Sequence, residues 1–76
     1  MTDDTETVSI TGDMIRLGQL LKFADVAESG AQAAAIIGSG DVSVDGETET
    51  RRGRQLTRGA VVQIDLPGGP RRLRVG

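Results

Sequence analysis

Between Ile37 and Val42 the hydrophobic repeat of this chain changes period, and that change limits the fold more than any other feature. Upstream, "IRLGQLLKFADV" places Leu17, Leu20, Leu21 and Ala24 at i, i+3, i+4 and i+7, one face of a short helix. Gly18 weakens the intrinsic propensity, so packing must hold this helix. "ESGAQAAAIIGSGD" then carries helix signals of its own. Ser29 and Gln32 have capping-box spacing, Ala33, Ile36 and Ile37 form an apolar stripe, and either Gly38 or Gly40 supplies a left-handed stop. Made almost wholly of Ala and Ile, this second helix can pack closely on the first.

Downstream the period is two. Val42 and Val44 alternate with Ser43 and Asp45, and Asp45-Gly46 is a dipeptide favoured in two-residue hairpin turns. "AVVQIDL" reads as a buried strand, "PGGP" as a turn and "RRLRV" as a last strand with Leu73 and Val75 facing one way, Arg72 and Arg74 the other. "VSI" at residues 8–10 adds a short strand. The predicted class is α+β, two helices packed on a small, mainly antiparallel sheet. Phe23, the sole aromatic, is expected to plug the end of that core.

A chain of 76 residues supports one small domain. We expect residues 1–7 to be a disordered acidic tail and residues 8–76 to be that domain. The sequence holds neither Cys nor His, which excludes disulfides, thiolate nucleophiles, thiolate zinc sites and imidazole bases. Asp3, Asp4 and Glu6 in a tail make a poor magnesium site. "SGAQAAAIIGSG" lacks the Gly-Lys-Ser/Thr ending of a phosphate loop. The expectation is a protein without metal, cofactor or catalysis. No apolar run reaches the roughly 20 residues of a membrane span. The acidic start "MTDDTETVSI" is unlike a signal peptide, so a cytoplasmic protein without a membrane partner is expected.

Charge is divided along the chain. Residues 1–50 hold ten acids against Arg16 and Lys22, whereas residues 51–76 hold seven arginines against Asp65. Such asymmetry suits a polyanion-binding face on a chain kept soluble by acid elsewhere; a solvated surface with segregated signs is the bland alternative. "ETRRGRQLTRG" concentrates the arginines in a predicted loop after the Asp45-Gly46 turn. Guanidinium forks match phosphate oxygens, and Gly53 lets the backbone bend and approach. The same loop could be neutralised by Glu47 and Glu49. With one aromatic in the chain, base stacking has little to work with, so the shape and backbone of folded RNA are the expected target.

The order of helix pair, Gly, "VSVDG", arginine loop and "QLTRGAVVQI" resembles the S-four RNA-binding domain, named for a ribosomal small-subunit protein. The residues that carry the resemblance are Arg16-Leu17, Leu21, Ser29, Ala33, Ile37, Gly40, Val42, Val44, Gly46, Leu56, Gly59, Val62 and Ile64, in their combined spacing. "ESGAQA" and "ETRRGRQL" look like the small stand-alone bacterial members. The resemblance implies a helix–turn–helix-like αL motif on a small sheet that binds structured RNA. We expect a monomer whose target is ribosomal RNA or a ribosome-assembly intermediate. A ribosomal or RNA-modifying protein partner is compatible with it. Carried over position by position, the phosphate contacts would be Arg16, Lys22, Arg51, Arg52 and Arg54. Arg58, Arg72 and Arg74, from the same basic part of the chain, are additional candidates for RNA contact. Three positions depart from the family pattern: Ala34 and Ala35 stand where basic residues are common, Asp45 replaces Asn in the turn, and Ala60 replaces Asp after Gly59.

Two other classes are weighed against an RNA-binding module. A protein-interaction or ubiquitin-like module fits the length and the ending "RRLRVG", but Val75 precedes Gly76 where such modifiers carry Gly-Gly, and the opening hairpin is missing. A pseudouridine synthase bearing this domain at its front is disfavoured by length.

Overall fold

The computed structural model describes residues 5–76. Its period change falls where the sequence puts it, after helix α2 and before strand β3. The elements are β1 (Thr5–Val8), β2 (Met14–Arg16), α1 (Leu17–Phe23), α2 (Gly30–Gly38), β3 (Val42–Val44), β4 (Glu47–Thr48), β5 (Gln55–Thr57), β6 (Val61–Leu66) and β7 (Gly69–Val75). Five strands form one sheet in the order β1-β7-β6-β3-β4, and β2 pairs with β5 in a small second sheet. Every pairing is antiparallel except β1 with β7, so the fold is the expected α+β arrangement. The helices are consecutive, and β1 and β2 pair with other strands rather than with each other, unlike a hairpin-first ubiquitin-like module.

Each element forms for a local reason. Helix α2 starts where Ser29 Oγ accepts from the Gln32 amide at 3.1 Å, while Gln32 Oε1 reaches back to the Glu28 amide at 2.7 Å. Gly38 remains in the helix; Gly40, at φ 89°, makes the left-handed exit where a side chain would be strained. At the β3–β4 hairpin Asp45 and Gly46 both have positive φ, 50° and 89°, as a two-residue turn of this kind requires. The Asp45 carboxylate then accepts from the Val61 amide at 3.0 Å, tying the turn to β6.

The core is a single cluster under the inner face of the large sheet. Leu17, Leu20 and Leu21 of α1 and Ala33 and Ile37 of α2 are buried with Val42, Val44, Leu56, Val62, Ile64, Leu73 and Val75. Leu73 and Val75 point inward on β7 while Arg72 and Arg74 are exposed, as the alternation predicts. Ile36 is only partly buried, at the edge of the stripe.

Four expectations are corrected. Phe23 is 69% exposed and does not plug the core. On a helix with 100° steps it lies roughly 110° from the centre of the Leu17–Leu20–Leu21–Ala24 stripe, so the four stripe residues fill the space without it. Thr5, Glu6 and Thr7, placed in the acidic tail, belong to β1, which pairs with β7 in the register Thr5↔Arg72 to Val8↔Val75. The rest of the expected tail, residues 1–4, lies outside the described residues. Of "VSI", only Val8 is in a strand. Ile15 and Arg16, which open the stretch read as the first helix, are extended with Met14 in β2, because Met14, Ile15 and Arg16 pair with Thr57, Leu56 and Gln55. Among the described residues no helix is long and apolar enough to cross a membrane.

Candidate nucleic-acid interface

The arginine loop, residues 49–54, is built around one carboxylate. Glu49 is the buried charged residue of the domain, with a side chain 8% exposed. It accepts from the amides of Thr50 (3.1 Å) and Arg51 (3.2 Å), from Arg51 Nε (3.2 Å) and Nη2 (3.4 Å), and from Arg54 Nη1 (2.9 Å). These donors hold its carboxyl at about pH 2, well below the usual carboxylate range; the Arg51 guanidinium contributes most, then Arg54, then the Arg51 amide. The same pairing raises Arg51 above its ordinary value.

The loop backbone is docked as firmly as its side chains. Arg54 donates its amide to the Arg51 carbonyl at 3.2 Å, closing a turn. Leu17 and Gly18, whose amides open α1 and have no partner inside the helix, donate to the carbonyls of Arg54 and Arg52, both at 2.9 Å. Gly18 lies close under the loop: a Cβ there would stand 3.5 Å from the Arg52 carbonyl oxygen and Cβ, an ordinary van der Waals contact. β5 begins directly after Arg54 and pairs with β2, which fixes the far end of the loop.

The result is a cleft between α1 and the loop, about 230 Å³ in volume, lined by Arg16, Gly18, Gln19, Lys22, Gly30, Arg52 and Gly53. Arg16, Lys22 and Arg52 come from three different positions in the chain, and the cleft lining contains no acid. Gln19 Oε1 accepts from the Arg16 amide at 3.3 Å, which fixes the lip of the cleft. Arg51 and Arg54 stand on the adjoining side of the loop, with side chains 77% and 41% exposed. Such a surface can hold phosphate oxygens by charge-assisted hydrogen bonds.

The other candidates lie elsewhere. Arg58 Nη2 donates to the carbonyls of Gly12 (3.0 Å) and Ile10 (3.4 Å), pinning the β1–β2 connection. Arg72 and Arg74 stand on the outer face of the large sheet, beside Thr5, Ser43, Val61 and Gln63; Arg72 Nε donates to Gln63 Oε1 at 3.1 Å. They are on the opposite side of the sheet from the core and helices, apart from the cleft. Ala34 is half-buried and Ala35 exposed on α2. Among the described residues no group of three or more acidic side chains could hold a metal.

Sequence reasoning treated Glu49 as a neutralising surface acid and missed its burial. It also missed Gln19 in the cleft, although Arg16 and Gln19 have the i, i+3 spacing used to find the start of α2. An αL-type helix pair seated on a small antiparallel sheet, with a docked basic loop at its edge, defines a class, and comparison with known proteins gives that class its name. The S4 domain family matches residues 8–70. The chain is 47% identical over 58 residues to the "Probable ribosome maturation protein RlbA" of Bacillus subtilis, spanning 76% of this chain and 82% of that protein. It is 44% identical over 50 residues to the "Putative RNA-binding protein YbcJ" of Escherichia coli, spanning 66% and 71% of the two chains. This chain belongs to the S4 domain family.

Proposed function

We propose that this protein is a non-catalytic, monomeric RNA-binding module of the cytoplasm that grips structured RNA, ribosomal RNA or a ribosome-assembly intermediate, through its phosphates. The observation that carries this reading is the cleft in which Arg16, Lys22 and Arg52 converge without an acid among its lining residues. Arg51 and Arg54 extend the grip along the loop, and Glu49 holds both in place. Family membership and the names of its relatives point to the same class of target. The cleft residues are Arg, Lys, Gln and Gly, which suit binding rather than proton transfer or nucleophilic attack.

Crosslinking in cell extract followed by sequencing of the bound RNA tests the proposal. Structured ribosomal RNA should be recovered, and in purified form a hairpin should bind more tightly than an unstructured pyrimidine homopolymer. Recovery of protein adducts without RNA would reject it.

A further inference from the structure

The polar face of α1 carries a feature that a phosphate grip does not use. Gln19, Lys22 and Phe23 stand at i, i+3 and i+4, on one side of the helix and away from the leucine stripe. They line a shallow depression of about 320 Å³, and Gln19 and Lys22 also line the cationic cleft, so the two are continuous. The chain has no other aromatic residue, and this ring is 69% exposed. Among the described residues, every other large apolar side chain except Met14 is at least partly buried.

The ring stands on a rigid support. Helix α1 ends immediately after it with a dense set of backbone bonds: Ala24 to Leu20 at 2.9 Å, Asp25 to Lys22 at 3.1 Å, and Val26 and Ala27 to Leu21 at 2.9 and 3.1 Å. Asp25 takes φ 62° to make this ending, a conformation rare outside glycine. The position of Phe23 is thus fixed by the helix rather than left to a flexible loop.

We propose that Phe23 is a stacking platform for one unstacked base of the bound RNA, a loop or bulge nucleotide whose backbone lies in the adjoining cleft. This rests on the RNA-binding reading above. An apolar ring flanked by an ammonium group at Lys22 suits a nucleotide, which offers a π-face and a phosphate together; an apolar protein surface would have to desolvate the lysine. Single bases displayed outside a helix are the elements of folded RNA that aromatic side chains recognise. The phosphate cleft would supply affinity and Phe23 a preference among RNA shapes.

The test uses two hairpins, one fully paired and one with a single unpaired 2-aminopurine, bound to the parent, Phe23→Ala, Phe23→Trp and Arg16→Ala/Arg52→Ala. The parent should favour the bulged hairpin by about fivefold or more, the worth of one base–aromatic stack at its lower end, with quenching of the 2-aminopurine fluorescence. Phe23→Ala should lose the preference and the quenching while keeping the affinity and salt response for the paired hairpin. Phe23→Trp should restore both. Arg16→Ala/Arg52→Ala should weaken both hairpins alike, which tests the phosphate grip separately. A parent without the preference, or Phe23→Ala retaining it, overturns the stacking role while leaving the grip intact. A parent that binds neither hairpin overturns both readings.

Discussion

Glu49 is an acid that serves a basic surface. Five of its contacts come from the loop that follows it, so removing its charge should loosen that loop before it affects anything else. Its depressed pKa gives a sign to the pH dependence. A carboxylate held at about 2 when folded, against 4.5 for the free group, contributes stability that is fully present above pH 4.5 and lost as the pH falls toward 2. Thermal unfolding followed by circular dichroism should show a melting temperature insensitive to this group above about pH 5 and falling below it; Glu49→Gln should lower the plateau and flatten the acid limb. An acid limb identical in parent and variant would show that other groups set it. The arginines divide in the same way. Arg51→Ala/Arg54→Ala removes the guanidinium partners of a buried carboxylate and should lower the melting temperature, whereas Arg52→Ala should weaken RNA binding and leave the melting temperature unchanged. Removing all three arginines together would confuse the two effects.

The elements were legible to different degrees. Helix α2, the Asp45-Gly46 hairpin, β6 and β7 each announce themselves by a local rule: a cap, a turn dipeptide or an alternation. β1, β2 and β5 do not. They are short, polar at alternate positions, and held by partners distant in sequence, Thr5 to Arg72 and Met14 to Thr57. No window centred on residue 5 or 55 contains the reason it is extended. The site follows the same division, since the basic residues were visible but the docking of loop carbonyls on the first amides of α1 is a tertiary event. Two predictions belong at this scale. Leu21→Ala or Ile37→Ala, at positions with no exposure, should destabilise by about 2–5 kcal/mol in urea unfolding. Ala34 lies one turn beyond Gly30, which lines the cleft, and helical side chains lean toward the N-terminus, so Ala34→Lys should reach the cleft. It should change stability by less than about 0.5 kcal/mol and steepen the salt dependence of RNA binding by about 0.7 to 0.9. Ala35→Lys, turned about 100° further round, should add little. Equal gains from both lysines would contradict the orientation assigned to α2.

At the scale of the whole molecule, the net charge of −2 conceals how the protein keeps its charges apart. Arg58 and Arg71 serve the fold, the first through the carbonyls of Ile10 and Gly12 and the second through Glu6 at 2.8 Å and the Ala24 carbonyl at 3.2 Å. Arg72 and Arg74 occupy the far side of the sheet. The positive charge of residues 51–76 is therefore divided among fold, outer face and cleft, and the cleft completes itself with Arg16 and Lys22 from the acidic half of the chain. The central claim is that this cleft, with Arg51 beside it, supplies the phosphate contacts. The salt dependence of binding to a structured ribosomal RNA hairpin measures it directly. About four contacts in the parent give a slope of log affinity against log salt near −3, and Arg16→Ala/Arg52→Ala should halve it to roughly −1.5 with the melting temperature unchanged. A slope that is the same in both proteins would contradict the account, because the cations that hold the phosphates would then lie elsewhere on the surface.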